Sequence, residues 1–308
     1  MKRRIIFTVT NNLNYDQRMQ KICSTLANNG YNVLLLGVEK FKPIEPLTKQ
    51  PFNQKRLPLF FKSHFLSFAE SNLRFFLYLL FKKFDAICAI DLDTIIPVYL
   101  LSVIKRKKRI YDGHELTTEM YSVLTKKKII VKFWNWIERI FLPHFKNGYT
   151  VNESLSAEFN KMYGLQFQPV FNAPVFNASE IRDKCISESF ILYQGVVNKD
   201  RGFQSILPAM KIVNANLKVC GDGNYLSDAK QLVKDLRIED KVEFVSNVLP
   251  DDLRKITQMA YIGLNTVERL GMSNYLSLSN RTFDYMHAGV PQLAMNFPEY
   301  RKINDEFE

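Results

Sequence analysis

Short β-branched runs alternate with helix-length stretches along nearly the whole chain, and this alternation narrows the available folds more than any other feature. Parallel strands cannot be joined by a tight turn, so a strand, helix, strand rhythm predicts parallel sheets covered by crossover helices. In the first half, strands are expected at 4–10, 32–37, 86–90, 109–111 and 148–151, with shorter ones near 55–60 and 168–171. Helices are expected between them, at 15–29, 66–83, 92–104, 130–142 and 153–162. The second half repeats the theme, with strands at 190–194, 216–220, 242–245, 261–265 and 291–295 and helices at 201–212, 223–236, 250–258 and 280–288. Asn172, Ala173, Pro174, Asn177 and Ser179 interrupt the periodicity, as linker residues do. A chain of 308 residues also exceeds the usual size of one core. The expectation is an α/β protein of two Rossmann-like domains, 1–172 and 173–308, facing a cleft.

Ligands of open α/β sheets bind beyond the carboxyl ends of the strands, and the turns expected there are polar. The first carries Asp16 and Arg18, the next Asp91 and Asp93, and another the run Asp112-Gly113-His114-Glu115, which sets an imidazole between carboxylates. Such a histidine can hydrogen-bond a sugar hydroxyl or shuttle a proton. In the second half, Gly195 permits close backbone approach, and Lys199 and Arg201 can neutralise a diphosphate. Gly221-Asp222-Gly223 reads either as a phosphate- or base-binding turn or as a plain tight turn. From Ser279 onward the sequence reads as a capped helix stopped by Gly289 and Pro291. Its N-terminus offers free N–H groups, Arg281 adds a bidentate fork, and Asn280 and Asp284, four apart, share a face. These features suit a phosphate joined to a hydroxylated group.

A net charge of +11 favours a polyanionic partner: nucleic acid, anionic lipid headgroups or a phosphorylated substrate. No P-loop, nucleophile elbow or dinucleotide glycine fingerprint follows the first strand, which argues against the commonest kinases, hydrolases and dehydrogenases. His64, His144 and His287 show no ligand spacing, so no metal is expected. Cys23, Cys88, Cys185 and Cys220 sit in or beside apolar runs and read as reduced, buried thiols of a cytoplasmic protein. No secretory signal opens the chain, and no run reaches the length that spans a bilayer. The segment 73–84 is aromatic and flanked by cations; it fits a helix buried against a sheet or one lying in a membrane interface. The basic runs 105–109 and 126–128 fit solvated surface or attraction to anionic lipid on the inner face of the cell membrane.

Taken together and in order, the segments 14–19, 90–94, 111–115, 195–202, 221–223 and 280–291 resemble the GT-B glycosyltransferases of retaining family 4. The resemblance covers nearly the whole chain. It implies an N-terminal acceptor domain, in which Asp16, Arg18, Asp91, Asp93 and Glu115 lie on the acceptor side, and a C-terminal domain for a nucleoside diphosphate sugar. Arg201, with Lys199, would hold the diphosphate, assisted by Arg281; Asp284 would bind the ribose hydroxyls; His114 would face the donor sugar. Gly195, Gly221, Asp222, Gly223 and Asn280 fall in donor-site segments. Leaving-group charge would be stabilised by cations and a helix N-terminus, without a cofactor or metal, which accounts for the positive charge better than nucleic acid does. The implied acceptor is a glycan or a lipid-linked molecule. Two departures stand out. The family's first glutamate, eight positions before the second, is replaced by Leu276, with Asn274 or Glu268 as nearby substitutes, and the C-terminal domain is expected to be incomplete at Glu308. An inactive nucleotide-sugar-binding or scaffold protein and a sugar-nucleotide epimerase stand as alternatives to a transferase.

Overall fold

The computed structural model describes residues 2–40, 44–61, 64–174, 190–246, 248 and 250–307. They fall into two compact units, Met1–Phe171 and Asn172–Glu308. In the first, the strands are β1 (Arg4–Thr8), β2 (Asn32–Glu39), β3 (Asn53–Pro58), β4 (Ala86–Ile90), β5 (Lys108–Gly113), β6 (Gly148–Thr150) and β7 (Gln168–Pro169). They form one sheet in the order β3-β2-β1-β4-β5-β6-β7, and every pairing in it is parallel. The strand order reverses between β1 and β4, so the turns leaving those two strands diverge and open a space at their carboxyl ends.

The helices of this unit are α1 (Gln17–Asn28), α2 (His64–Leu80), α3 (Ile95–Ile104), α4 (Tyr121–Leu124), α5 (Lys128–Phe141) and α6 (Glu153–Tyr163). Asp16 caps α1 by accepting the Met19 N–H. Behind that cap, Met19 and Cys23 are four apart and drop onto Phe7, Val33 and Leu35 of the sheet. Asn152 caps α6 in the same way, and Gly164, at φ +66°, stops it in the left-handed conformation. The segment 73–84 divides between its two expected settings. Phe75 and Leu79 are fully buried, whereas Leu73, Leu77 and Phe81 are exposed, and the helix ends at Leu80. Among the described residues no helix is long and apolar enough to cross a membrane.

The second unit carries β8 (Phe190–Gln194), β9 (Asn216–Cys220), β10 (Val242–Val245), β11 (Ile262–Asn265) and β12 (Gln292–Ala294) in the order β10-β9-β8-β11-β12. These strands too are all parallel. Its helices are α7 (Phe203–Ala209), α8 (Leu226–Leu236), α9 (Pro250–Met259), α10 (Met272–Tyr275), α11 (Asn280–His287) and α12 (Pro298–Phe307). Adjacent residues of β8 show why both faces need helices. Tyr193 packs with Phe203, Leu207 and Tyr225 on one side, and Leu192 packs with Tyr285 and Val290 on the other. The helix expected at 201–212 is shorter, because Gly202 (φ +79°) separates a single 3-10 turn, Lys199–Arg201, from α7. The one-turn α10 and the terminal α12 were not anticipated. Cys23, Cys88 and Cys220 are buried free thiols; Cys185 lies outside the described residues.

The Tyr285 ring lies flat over β11. A Cβ at Gly263 would come 2.6 Å from three of its ring carbons, and the ring cannot retreat because its hydroxyl donates to Leu192 O at 3.0 Å. Gly263→Ala is therefore expected to destabilise the second unit by about 1–3 kcal/mol, the usual cost of overpacking. Hydrogen exchange at β8 and α11 would report it; unchanged protection there would show that the ring has room to move.

Candidate functional site

In the first unit the turns after β1, β4 and β5 converge on one charged network. Arg18, on the first turn of α1, is buried and donates through Nη2 to Asp112 Oδ1 at 3.0 Å and through Nη1 to Val170 O at 2.7 Å. His114 lies between two carboxylates. Its Nε2 is 3.2 Å from Asp112 Oδ2, its Nδ1 is 3.5 Å from Asp91 Oδ2, and its backbone N–H donates to Asp91 Oδ1 at 2.8 Å. Asp91 reaches this position with φ at +52°. That is an uncommon conformation for a side chain other than glycine, and such strain gathers at functional sites. The Asp112 side chain is fully buried, whereas His114 and Asp91 keep 18% and 24% of their side-chain surface. The network therefore shows an imidazole and one carboxylate to the outside and keeps its other carboxylate within.

Burial pulls the His114 pKa down, but the charges of Asp91 and Asp112 outweigh it and lift the value to about 9. Burial lifts Asp91 to about 7 against the opposing pull of His114. Asp112 is held below the usual carboxylate range, because His114 and Arg18 overcome its desolvation. At neutral pH His114 is thus an imidazolium, a fixed positive charge rather than a base. A pKa raised by folding stabilises the fold below the unfolded value and ceases to do so above the folded one. The His114 contribution is accordingly complete below 6.5 and lost as pH rises through about 9. Ionising Asp91 on the way to about 7 adds a loss in the same direction. Thermal unfolding of the first unit should move to lower temperature between pH 6.5 and 9, and His114→Gln should flatten that slope. A slope identical in the variant would assign the pH dependence to other groups.

The remaining first-unit candidates have local roles. Asp16 is the α1 cap and also accepts from Asn11 Nδ2 at 3.0 Å. Asp93 accepts from Thr10 Oγ1 at 3.0 Å, and burial raises its pKa. Glu115 is exposed beside the network. Asp112 was visible only as a neighbour of His114, yet it is the hub.

In the second unit, α11 brings Arg281 against the start of the β8 loop. The guanidinium is buried, lies 4.5 Å above the Tyr193 ring and sits beside Gly195, where a Cβ would be 3.8 Å from Cζ. Its Nε donates to Ser279 Oγ at 2.9 Å, which explains why Ser279 makes no side-chain cap to α11. Nη1 is buried without a hydrogen-bond partner, and among the described residues no carboxylate lies within ion-pairing distance of Arg281. Arg201 is similar. Its Nε has no hydrogen-bond partner and is 3.8 Å from Asp200 Oδ1, too far for a strong pair. Burial raises the Tyr300 hydroxyl pKa, and the Ser279 N–H and the charges of Arg281 and Arg201 oppose it. Arg281, buried with an unpartnered Nη1, and Arg201, partly exposed and only loosely paired with Asp200, are the candidate anion-binding cations of this unit.

Asp284 accepts from Gln194 Nε2 at 3.0 Å, and Gln194 Oε1 accepts from Thr257 Oγ1 at 2.7 Å, so the carboxylate is aimed by a chain reaching back through β8 to α9. Asn280 and Lys199 are exposed at the rim. Gly221 and Gly223 answer the two readings of their turn: a Cβ would meet Gly195 O at 1.9 Å and Val197 O at 2.3 Å. These glycines let the β8 and β9 loops lie backbone to backbone, joined by Gly195 N–H to Cys220 O and Val197 N–H to Asp222 O, both 2.9 Å. They shape the loop that carries Gly195. Asp222 is exposed and accepts its neighbour's N–H.

Leu276 is buried at the end of α10. Asn274 donates to Asp200 Oδ2 at 2.9 Å and to Glu268 O at 3.2 Å. Asp200, between the two candidate cations in sequence, thereby clips the 268–274 loop to the β8 turn. No local pattern points to this pairing across 74 positions.

Residues 179–308 match the family model described as Glycosyl transferases group 1. Among solved structures, a sucrose-phosphate synthase from Thermosynechococcus elongatus aligns over 98% of this chain and 83% of its own, with 12% identity and a TM-score of 0.76. Anabaena HepE in complex with UDP and glucose aligns over the same shares with 11% identity and a TM-score of 0.68. The apo form of the lipopolysaccharide outer core galactosyltransferase WaaB aligns over 96% of this chain and 82% of its own, with 13% identity and a TM-score of 0.60. No curated protein sequence matches the chain. At these identities the likeness is one of fold: the two parallel sheets are GT-B-like.

Proposed function

We propose that this chain, whose residues 179–308 match the group 1 glycosyltransferase family model, moves a sugar from a nucleoside diphosphate donor to a glycan or lipid-linked acceptor with retention of configuration. The observation that carries this reading is the buried guanidinium of Arg281 beside Gly195, with its Nη1 unpartnered. The donor's diphosphate supplies the missing negative charge. Arg281 and Arg201 grip it, Asp284, aimed by Gln194, receives the ribose hydroxyls, and Lys199 and Asn280 flank the entrance. As the bond from the sugar's anomeric carbon to the diphosphate oxygen breaks, charge collects on that oxygen, where fixed cations stabilise the transition state more than the ground state. The acceptor hydroxyl attacks on the same face and gives its proton to the departing diphosphate oxygen. The first unit serves the acceptor, and the His114 imidazolium offers a positive donor to a sugar oxygen. HepE was solved with UDP and glucose, which makes uridine donors the first to try. Buried free thiols support a reducing, cytoplasmic setting.

Calorimetry with UDP, GDP and their sugars on the wild type and on Arg201→Ala tests the donor site. Binding of one nucleotide series, weakened about tenfold or more by the loss of a charge-assisted contact, is expected; binding by none removes the proposal. The apolar Leu276 favours a second reading, a protein that binds the donor without transferring it. Product analysis by NMR decides between them: transfer or hydrolysis above background excludes the second, and a changed sugar without acceptor marks an epimerase.

A further inference from the structure

Three segments enter the first sheet at its amino-terminal edge: 2–3 ahead of β1, 81–85 ahead of β4 and 105–107 ahead of β5. Parallel register brings them side by side, since Ile5 pairs with Ala86 and Ala86 with Lys108. Together with Arg4 at the start of β1 they line a concavity of about 580 Å³ with seven basic residues, among them Lys2, Lys82, Lys83 and Lys107, against a single carboxylate, Asp85. Lys105 Nζ donates to Lys82 O at 3.0 Å and ties two of the segments together. Asp85 is partly occupied already, accepting the Arg4 N–H at 2.8 Å. The pocket therefore carries a large excess of positive charge.

Apolar side chains adjoin it. Phe81, immediately before Lys82, is 85% exposed, and Val103 and Ile104, immediately before Lys105, are 51% and 59% exposed. A soluble polyanion would need the cations alone. A protein partner would meet a surface rich in lysine, which protein interfaces disfavour. Lysines interleaved with a bare phenylalanine and aliphatics match an anionic bilayer surface, where apolar groups enter the headgroup boundary and lysine stems snorkel back to phosphates. The corner also lies at the opposite end of the strands from Asp91 and His114, so that occupying it leaves their turn network open.

We propose that this corner docks on an anionic lipid surface, with phosphate headgroups in the basic pocket and Phe81, Val103 and Ile104 in the headgroup boundary. The proposal does not depend on the glycosyltransferase reading. The test is co-sedimentation with phosphatidylcholine vesicles, with and without phosphatidylglycerol. Wild type is expected to bind only the anionic vesicles and to be released by salt. Lys2→Gln/Lys82→Gln/Lys83→Gln should weaken partitioning roughly a hundredfold, about fivefold for each lysine. Phe81→Ser should weaken it as well, and Lys126→Gln/Lys127→Gln/Lys128→Gln, where the chain enters α5, should leave it unchanged. All substituted side chains are exposed, and far-UV circular dichroism would confirm the fold of each variant. Failure of the wild type to bind anionic vesicles overturns the proposal, as does equal loss in both lysine triples. Pyrophosphate binding that the pocket variant loses, without any vesicle binding, would give the pocket to a soluble anion and overturn it too.

Discussion

Asp112→Ala is expected to destabilise the first unit by about 3–5 kcal/mol, the range for removing one partner from a buried ion pair. Asp112 faces both Arg18, at 3.0 Å, and His114, at 3.2 Å, and its own side chain is wholly buried. Without it, two cations are left with Asp91 alone, and Asp91 resists ionisation because burial lifts its pKa to about 7. The same substitution should therefore lower the pKa of His114 and weaken the pH dependence described above. The molecule supplies its own reporter. Both tryptophans of the chain, Trp134 and Trp136, lie on α5 of the first unit, so fluorescence-detected urea unfolding follows that unit apart from the second. Arg18→Met/Asp112→Asn should cost less than the sum of the two single changes, because each single change strands a charge that the double change removes. An unchanged midpoint for Asp112→Ala would mean that the network is not what closes this end of the sheet.

The strands were legible in the sequence because a parallel sheet covered on both faces writes itself as near-continuous apolar runs. Ile5 to Val9, broken only by Thr8, and Phe190 to Tyr193 are such runs, and strands are present at both. Helix ends were less legible. Gly202 reads as part of a loop or of a helix until its φ of +79° is known. The start of α12 does carry a signal: Pro298 at the first helical position with Glu299 in the first turn is a common opening. At the candidate site, the residue types that can meet a phosphate could be picked from the turns, but their partners could not. Ser279 has the look of a cap, yet its hydroxyl serves Arg281. Asp200 looks like a neutraliser of its neighbours, yet it holds Asn274. Gly221 and Gly223 look like phosphate-binding glycines, yet their missing Cβ atoms make room for carbonyl oxygens of another loop. In each case the deciding contact joins side chain or backbone groups whose approach depends on the tertiary fold, which no local pattern encodes.

Arg281→Met should separate stability from binding in a way that a purely structural arginine would not. In the free protein the buried guanidinium has Ser279 Oγ and Tyr193, its ring and its hydroxyl, for company, and an unpartnered Nη1. Holding a cation there costs desolvation that no carboxylate offsets, and methionine of similar length keeps the packing over Tyr193 without that charge. The variant's second unit is therefore expected to be at least as stable as the wild type, read by hydrogen exchange at β8 and α11. Its affinity for UDP should nevertheless fall about ten- to a hundredfold, the size of one charge-assisted hydrogen bond. Arg281→Lys should fall between the two, because an ammonium supplies the charge but not the planar fork. Wild type should gain protection at lower UDP concentrations than either variant, since a ligand that binds only the folded state stabilises it by mass action. If the variant instead loses protection in the free state and keeps its UDP affinity, Arg281 is a packing residue and the anion site is misassigned. The opposite pattern, a free protein no weaker and a ligand no longer held, is what a site built to wait for a diphosphate must show, because its cost is carried in the unliganded state and repaid only on binding.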